Sequence, residues 1–168
     1  MLKRRRNVLY NILLPLWLLV WFPSFLWLLL IPANYLVDRI VLCWSLKGMD
    51  ERSDFCRHHT WKVCLAGFAS DFVGSLILLA AYFVIGMGDS GLAHDIVYGL
   101  GFNPFGHPVA LIIALAAMAV SALCIYGLDL RILKTAGLGA AQAHSSAIRL
   151  ALITAPYLFL FPSALLYR

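Results

Sequence analysis

The chain has 168 residues, of which 62% are hydrophobic and only 12% charged. A soluble globular domain carries about twice that share of charge, and the short polar islands here leave no room for an independent soluble domain. The net charge of +5 is not a nucleic-acid footprint, because most basic residues flank apolar runs, where they set membrane orientation and meet anionic headgroups.

The N-terminus, with Lys3, Arg4, Arg5 and Arg6, has the basic start of a signal peptide. The apolar run behind it is too long, contains Pro15 and Pro23, and lacks a small-residue cleavage site, so it reads as a retained first membrane segment. Residues 8–36 are apolar apart from Asn11, Ser24 and Asn34, and Pro15, Pro23 and Pro32 interrupt them. Proline inside a helix removes a backbone hydrogen bond, so breaks are expected at 22–24 and 31–34, with Asn34 capping a helix that runs to about Leu46. Trp17, Trp21, Trp27 and Trp44 suit interfacial anchoring. If the N-terminal basic cluster and the cluster of Lys47, Arg52, Arg57 and Lys62 are both cytoplasmic, the chain crosses an even number of times between them. A Pro-broken hairpin over 8–22 and 25–46 satisfies that condition, either as two short crossings or as a re-entrant loop.

Residues 47–62 form the most polar stretch and read as a short cytoplasmic connection, partly helical. Cys43, Cys56 and Cys64 lie in or beside it, on the side where thiols stay reduced, and with Cys124 they do not resemble a disulfide framework. Residues 63–86 are long and apolar enough to cross a bilayer, which takes about 20 helical residues. Gly67, Ser70, Asp71, Gly74 and Ser75 share one face of that helix, since positions three and four apart are neighbours. Residues 86–108 are Gly-rich, carry Asp89 and Asp95 without a Lys or Arg, and read as the outside loop. The next span covers 109–128, where Ala110, Ala114, Ala117 and Ser121 make a small-residue stripe that admits a neighbouring backbone. Asp129, Arg131 and Lys134 return the chain to the inside. After a turn at Gly137 and Gly139, helix restarts at Ala140, and a last apolar segment over 148–167 is kinked at Pro156. The expected fold is therefore all-α: a polytopic integral membrane helical bundle, a single domain of about four to five segments, with its N-terminus cytoplasmic.

Asp71 is the strongest candidate for chemistry, because a carboxylate at membrane depth is expensive and normally has a partner or water. It reads either as a proton- or cation-binding acid or as a packing residue, neutral or paired with Arg39 or Arg131. Asp38 with Arg39, and Asp129 with Arg131, read as orientation anchors or interhelical ion pairs. Cys56, His58, His59 and Cys64 have metal-ligand chemistry, but not the recurrent zinc spacing, and a headgroup-contacting loop is the better reading. Gly88-Asp89-Ser90-Gly91, with His94 and His107 nearby, spells a serine-protease tetrapeptide without the structural context that would make it one.

No catalytic set, metal site or cofactor motif is expected. The helix-packing positions Gly67, Ser70, Gly74, Ser75, Ala110, Ala114, Ala117 and Ser121 outnumber the chemistry. The preferred reading is a non-enzymatic scaffold or accessory subunit of a membrane-embedded export, secretion or DNA-transfer assembly. Its partners would be the bilayer and other membrane subunits or copies of itself, with no nucleic acid. The alternative is a small homo-oligomeric transporter or channel using Asp71. A membrane enzyme using Ser90 with a histidine, or the Cys/His island, ranks below both.

Overall fold

The computed structural model describes residues 27–167, all of it helix, turn or irregular chain, with no strand among them. The first arm of the expected hairpin, 8–22, lies outside the described residues. Five α-helices run in the order α1 (Trp27–Ser45), α2 (Arg52–Gly86), α3 (Gly91–Phe102), α4 (Pro108–Thr135) and α5 (Ala140–Ile153). Short 3-10 turns occupy Pro104–Gly106, Tyr157–Leu160 and Ser163–Tyr167. Among the described residues, α1, α2 and α4 are long and apolar enough to cross a membrane.

Several boundaries differ from those expected. Pro32 lies inside α1 instead of breaking it. Its ring projects from an exposed position, so the helix tolerates the lost hydrogen bond without a steric conflict in the bundle. Helix α2 begins within the polar stretch, at Arg52, and its 35 residues make a rod of about 52 Å, well beyond a hydrocarbon core of about 30 Å. The Gly-rich loop contains α3, whose N-cap is Ser90, accepting from the Ala93 amide at 3.1 Å. Residues 148–167 are not one helix: α5 stops at Ile153, and Pro156 and Pro162 hold the chain beyond it in 3-10 turns and extended backbone.

The cysteines also differ from expectation. The structure joins Cys43 near the end of α1 to Cys56 near the start of α2 as a disulfide, with their α-carbons 6.0 Å apart. Thirteen residues of sequence hide that closeness, which appears once the 46–51 turn folds α2 back along α1. Cys64 and Cys124 are free thiols among the described residues.

The main contact in the bundle is α2 against α4, with α5 packed on α4, and α1 leaning on α2 and α5. It is built from small residues. Gly67, Ser70, Gly74 and Ser75 of α2 and Ala110, Ala114, Ala117 and Ser121 of α4 are all buried. A Cβ on Gly74 would lie 3.0 Å from Ser121 Cβ, 3.1 Å from the Ala117 carbonyl oxygen and 2.6 Å from the Phe159 ring. Only glycine fits there without displacing a neighbour. One apolar cluster, including Leu42, Leu46, Val63, Leu133 and Leu150, fills the end of the bundle near the α1–α2 and α4–α5 turns. A second, including Leu78, Ile96, Leu100, Ala114 and Phe159, fills the other end. Leu28, Leu29, Val84, Ile112 and Leu123 stay exposed on the outside of the described bundle.

Gly74→Ala is expected to overpack this contact and cost about 1–3 kcal/mol. Gly127→Ala on α4, with no described atom within 4 Å of the added carbon, serves as its control. Thermal unfolding in detergent should show a lowered midpoint for the first and an unchanged or raised one for the second.

Candidate functional site

Between the two apolar clusters lies a polar layer that uses three helices. Asp38 of α1 and Asp129 of α4 are buried, at 2% and 0% exposure. Asp71 of α2 is partly buried, and its Oδ1 accepts a hydrogen bond from Ser121 Oγ across the α2–α4 contact at 3.0 Å. The Cys64 thiol of α2 is hydrogen-bonded to the Asp38 carboxylate. Asp38 in turn lies within electrostatic reach of both Asp71 and Asp129.

Helical rise fixes the spacing. Cys64, at the level of Asp38, is seven residues before Asp71 on α2, or about 10 Å along the axis. Ser121, at the level of Asp71, is eight residues before Asp129 on α4, or about 12 Å. Asp71 therefore stands about two turns from the other two acids, and Asp38 and Asp129 are close to level. Ser146 of α5 joins this lower layer: Asp129 is nine residues before Leu138 at the α4–α5 turn, and Ser146 is eight after it.

The layer is undersupplied with partners. Among the described residues, both carboxylate oxygens of Asp129, Oδ2 of Asp38 and the hydroxyl of Ser146 are buried without a hydrogen bond. Each such group costs about 1–3 kcal/mol in desolvation with nothing returned. The arginines do not compensate. Arg39 is only half-buried and Arg131 is exposed, and among the described residues neither is an ion-pair partner of these acids. The expected pairs Asp38–Arg39 and Asp129–Arg131 are thus not formed, and Asp71 is held by Ser121 instead of by Arg39 or Arg131. The reason is helical geometry: residues one or two apart point in different directions, so burying the acid turns the base outward.

A cavity of about 370 Å³ opens onto Asp71. Asn34 and Trp27 of α1, Phe68 of α2, and the chain from Ile153 to Phe161 line it. The Trp27 and Phe68 rings are stacked, 6.3 Å between centroids at 15°. The segment after α5 closes one side, where the Tyr157 hydroxyl donates to the Leu152 carbonyl and the buried Phe159 reaches Gly74.

The remaining candidates do not assemble. Cys56 is bonded to Cys43, Cys64 is turned to Asp38, His58 bonds the Asp54 carbonyl and His59 lies against the Phe55 ring at 4.4 Å. Among the described residues no three His, Cys, Asp or Glu side chains are grouped to hold a metal ion. Ser90 caps α3, and His107 caps α4 by accepting from the Val109 amide at 3.2 Å, while His94 is exposed. Comparison with protein-family models, curated proteins and solved structures finds no match.

The unpartnered oxygens predict an asymmetry in stability. Ser121→Ala loses one interhelical hydrogen bond, an interaction worth about 0.6 kcal/mol on average between apolar helices. Asp129→Leu removes a buried carboxylate that has no partner among the described residues, and such replacements are neutral or stabilising. Unfolding in mixed micelles should therefore show a small loss for Ser121→Ala and no loss, or a gain, for Asp129→Leu.

Proposed function

We propose that this chain is a multi-pass membrane protein that carries protons through its interior acids. One observation carries the reading: carboxylates from three helices converge in the bundle, and among the described residues no basic side chain joins them. An interior built this way must recruit positive charge, as protons or as a bound cation, because uncompensated carboxylates are not tolerated there. The two-turn separation between Asp71 and the other acids argues against one ion ligated by all three. It suits protons that pass between sites. That gap is longer than a hydrogen bond, so each passage needs intervening water, for which the orphaned oxygens are ready partners.

The backbone supports the same reading. In the topology implied by the basic islands, α2 runs outward from the cytoplasmic side, α4 returns, and α5 climbs part of the way out. Its 14 residues cover only about 21 Å, so the 3-10 turns beyond it would lie at membrane depth. Irregular backbone at that depth is tolerated where it is buried in protein or lines a cavity, and this segment borders the cavity at Asp71.

A scaffold or accessory subunit is the second reading. It is favoured by α1, where only Asp38, Val41 and Leu42 are buried against the described residues and most of the apolar surface is open to a partner helix.

Reconstitution into liposomes with an internal pH dye and an imposed potassium diffusion potential separates the two. Proton entry is expected for the wild type, reduced at least tenfold by Asp71→Asn and by Asp129→Asn, and retained by Arg131→Gln. A folded wild type that passes no protons would discard the transport reading in favour of the subunit.

A further inference from the structure

We propose that the cavity beside Asp71 is a binding site for a lipophilic organic cation. Its volume of about 370 Å³ is that of a small-molecule pocket, and its wall chemistry selects the class of ligand. Trp27 and Phe68 present a stacked aromatic pair, and Phe159 adds a third ring from the chain after α5. Among the described residues Asp71 is the one charged side chain in the lining, and Asn34, Thr154 and Tyr157 are the polar ones. Ile153, the last residue of α5, also lines the cavity, and a helix C-terminus carries partial negative charge.

Each feature rejects a different kind of occupant. An anion would meet a carboxylate and the negative end of a helix. A neutral apolar molecule would bury Asp71 without compensating it, which is costly. A small inorganic cation would exchange its water for aromatic rings that cannot replace a full hydration shell. A cation whose charge is spread over or shielded by carbon satisfies all three, because the ring faces attract it and Asp71 neutralises it. The groove on the outer side of α1 and α2 shares Trp27 and Phe68 with the cavity and adds Tyr35, Trp61 and Phe72, but no charged group lines it among the described residues, so it has nothing to neutralise a cation.

The inference rests on the proton reading in one respect: proton and organic cation would neutralise the same Asp71 carboxylate, so they exclude one another there. Binding itself can be measured separately. Equilibrium dialysis of the purified full-length protein in detergent should show saturable uptake of tetraphenylphosphonium, one per chain. Tetraphenylborate, which has the same shape and opposite charge, should bind at least tenfold more weakly. Asp71→Asn should cost the phosphonium at least tenfold in affinity. Should that variant fail to fold, Phe68→Leu, which keeps apolar volume and removes a ring, should weaken the phosphonium and leave the borate unchanged. Equal binding of the two probes would mark an unselective apolar groove and overturn the proposal, as would undiminished phosphonium binding in both variants. Loss of selective binding with proton flux intact would remove this inference alone. Selective binding without proton flux would sustain it while removing the transport reading.

Discussion

The close approach of α2 and α4 at Gly74 and Ser121 sets where the interior acids sit. With no side chain on Gly74, the α2 backbone comes within reach of Ala117 and Ser121, and the same contact delivers the Ser121 hydroxyl to Asp71. Small residues let two helix backbones come close enough for shape and interhelical hydrogen bonds to hold them. Phe159 then packs into the notch at Gly74, which ties the irregular chain after α5 to the wall of the cavity. A larger residue at 74 would disturb the helix pair, the acid's hydrogen bond and the cavity together.

The polar layer works against stability. The apolar clusters on either side are filled in the ordinary way by leucines, valines and small residues, whereas the layer between them leaves oxygens of Asp38, Asp129 and Ser146 unpaired among the described residues. Packing alone would be better served by apolar side chains at all three positions. Departures of this kind from the rule that buried polar groups are satisfied concentrate where a protein acts. This is the physical basis for preferring a charge-handling role over a scaffold.

The parts legible in the sequence were those that depend on one helix at a time. The small-residue faces at Gly67, Ser70, Gly74 and Ser75 and at Ala110, Ala114, Ala117 and Ser121 come directly from helical spacing. All eight residues are buried, with Gly74 meeting Ala117 and Ser121 across the α2–α4 contact while Gly67 lies toward Asn34 of α1 and Ala110 against Gly99 of α3. Asp71 stood out because it interrupts an apolar run. Asp38 and Asp129 did not, because the neighbouring Arg39 and Arg131 made each read as an orientation anchor or an interhelical ion pair. The signal that could have found them was their angular position. Asp38 falls on the helix face of Val41 and Leu42, and Asp129 on that of Ile125 and Leu133, all of them buried. Features that depend on two segments at once were not legible: the Cys43–Cys56 pairing, the cavity and the convergence of three acids. Pro32 misled in one direction, since the helix continues through it. The run at 148–167 misled in the other, since its composition is that of a span while Pro156 and Pro162 leave it irregular.

The central claim is that Asp38 and Asp129 point into the bundle while the neighbouring Arg39 and Arg131 point away, with Asp71 held by Ser121. Oxidative cross-linking of paired cysteines, in a full-length background without the other native ones, tests it most directly. Rapid cross-links are expected for Asp71→Cys with Ser121→Cys, whose side chains share a hydrogen bond, and for Asp38→Cys with the cysteine kept at position 64, which is hydrogen-bonded to Asp38. Slow or absent links are expected when Arg39→Cys replaces the first member of the second pair. Efficient linking through position 39, with none through position 38, would contradict the claim. Arg39 would then line the interior, and Asp38 would be the outward-facing residue.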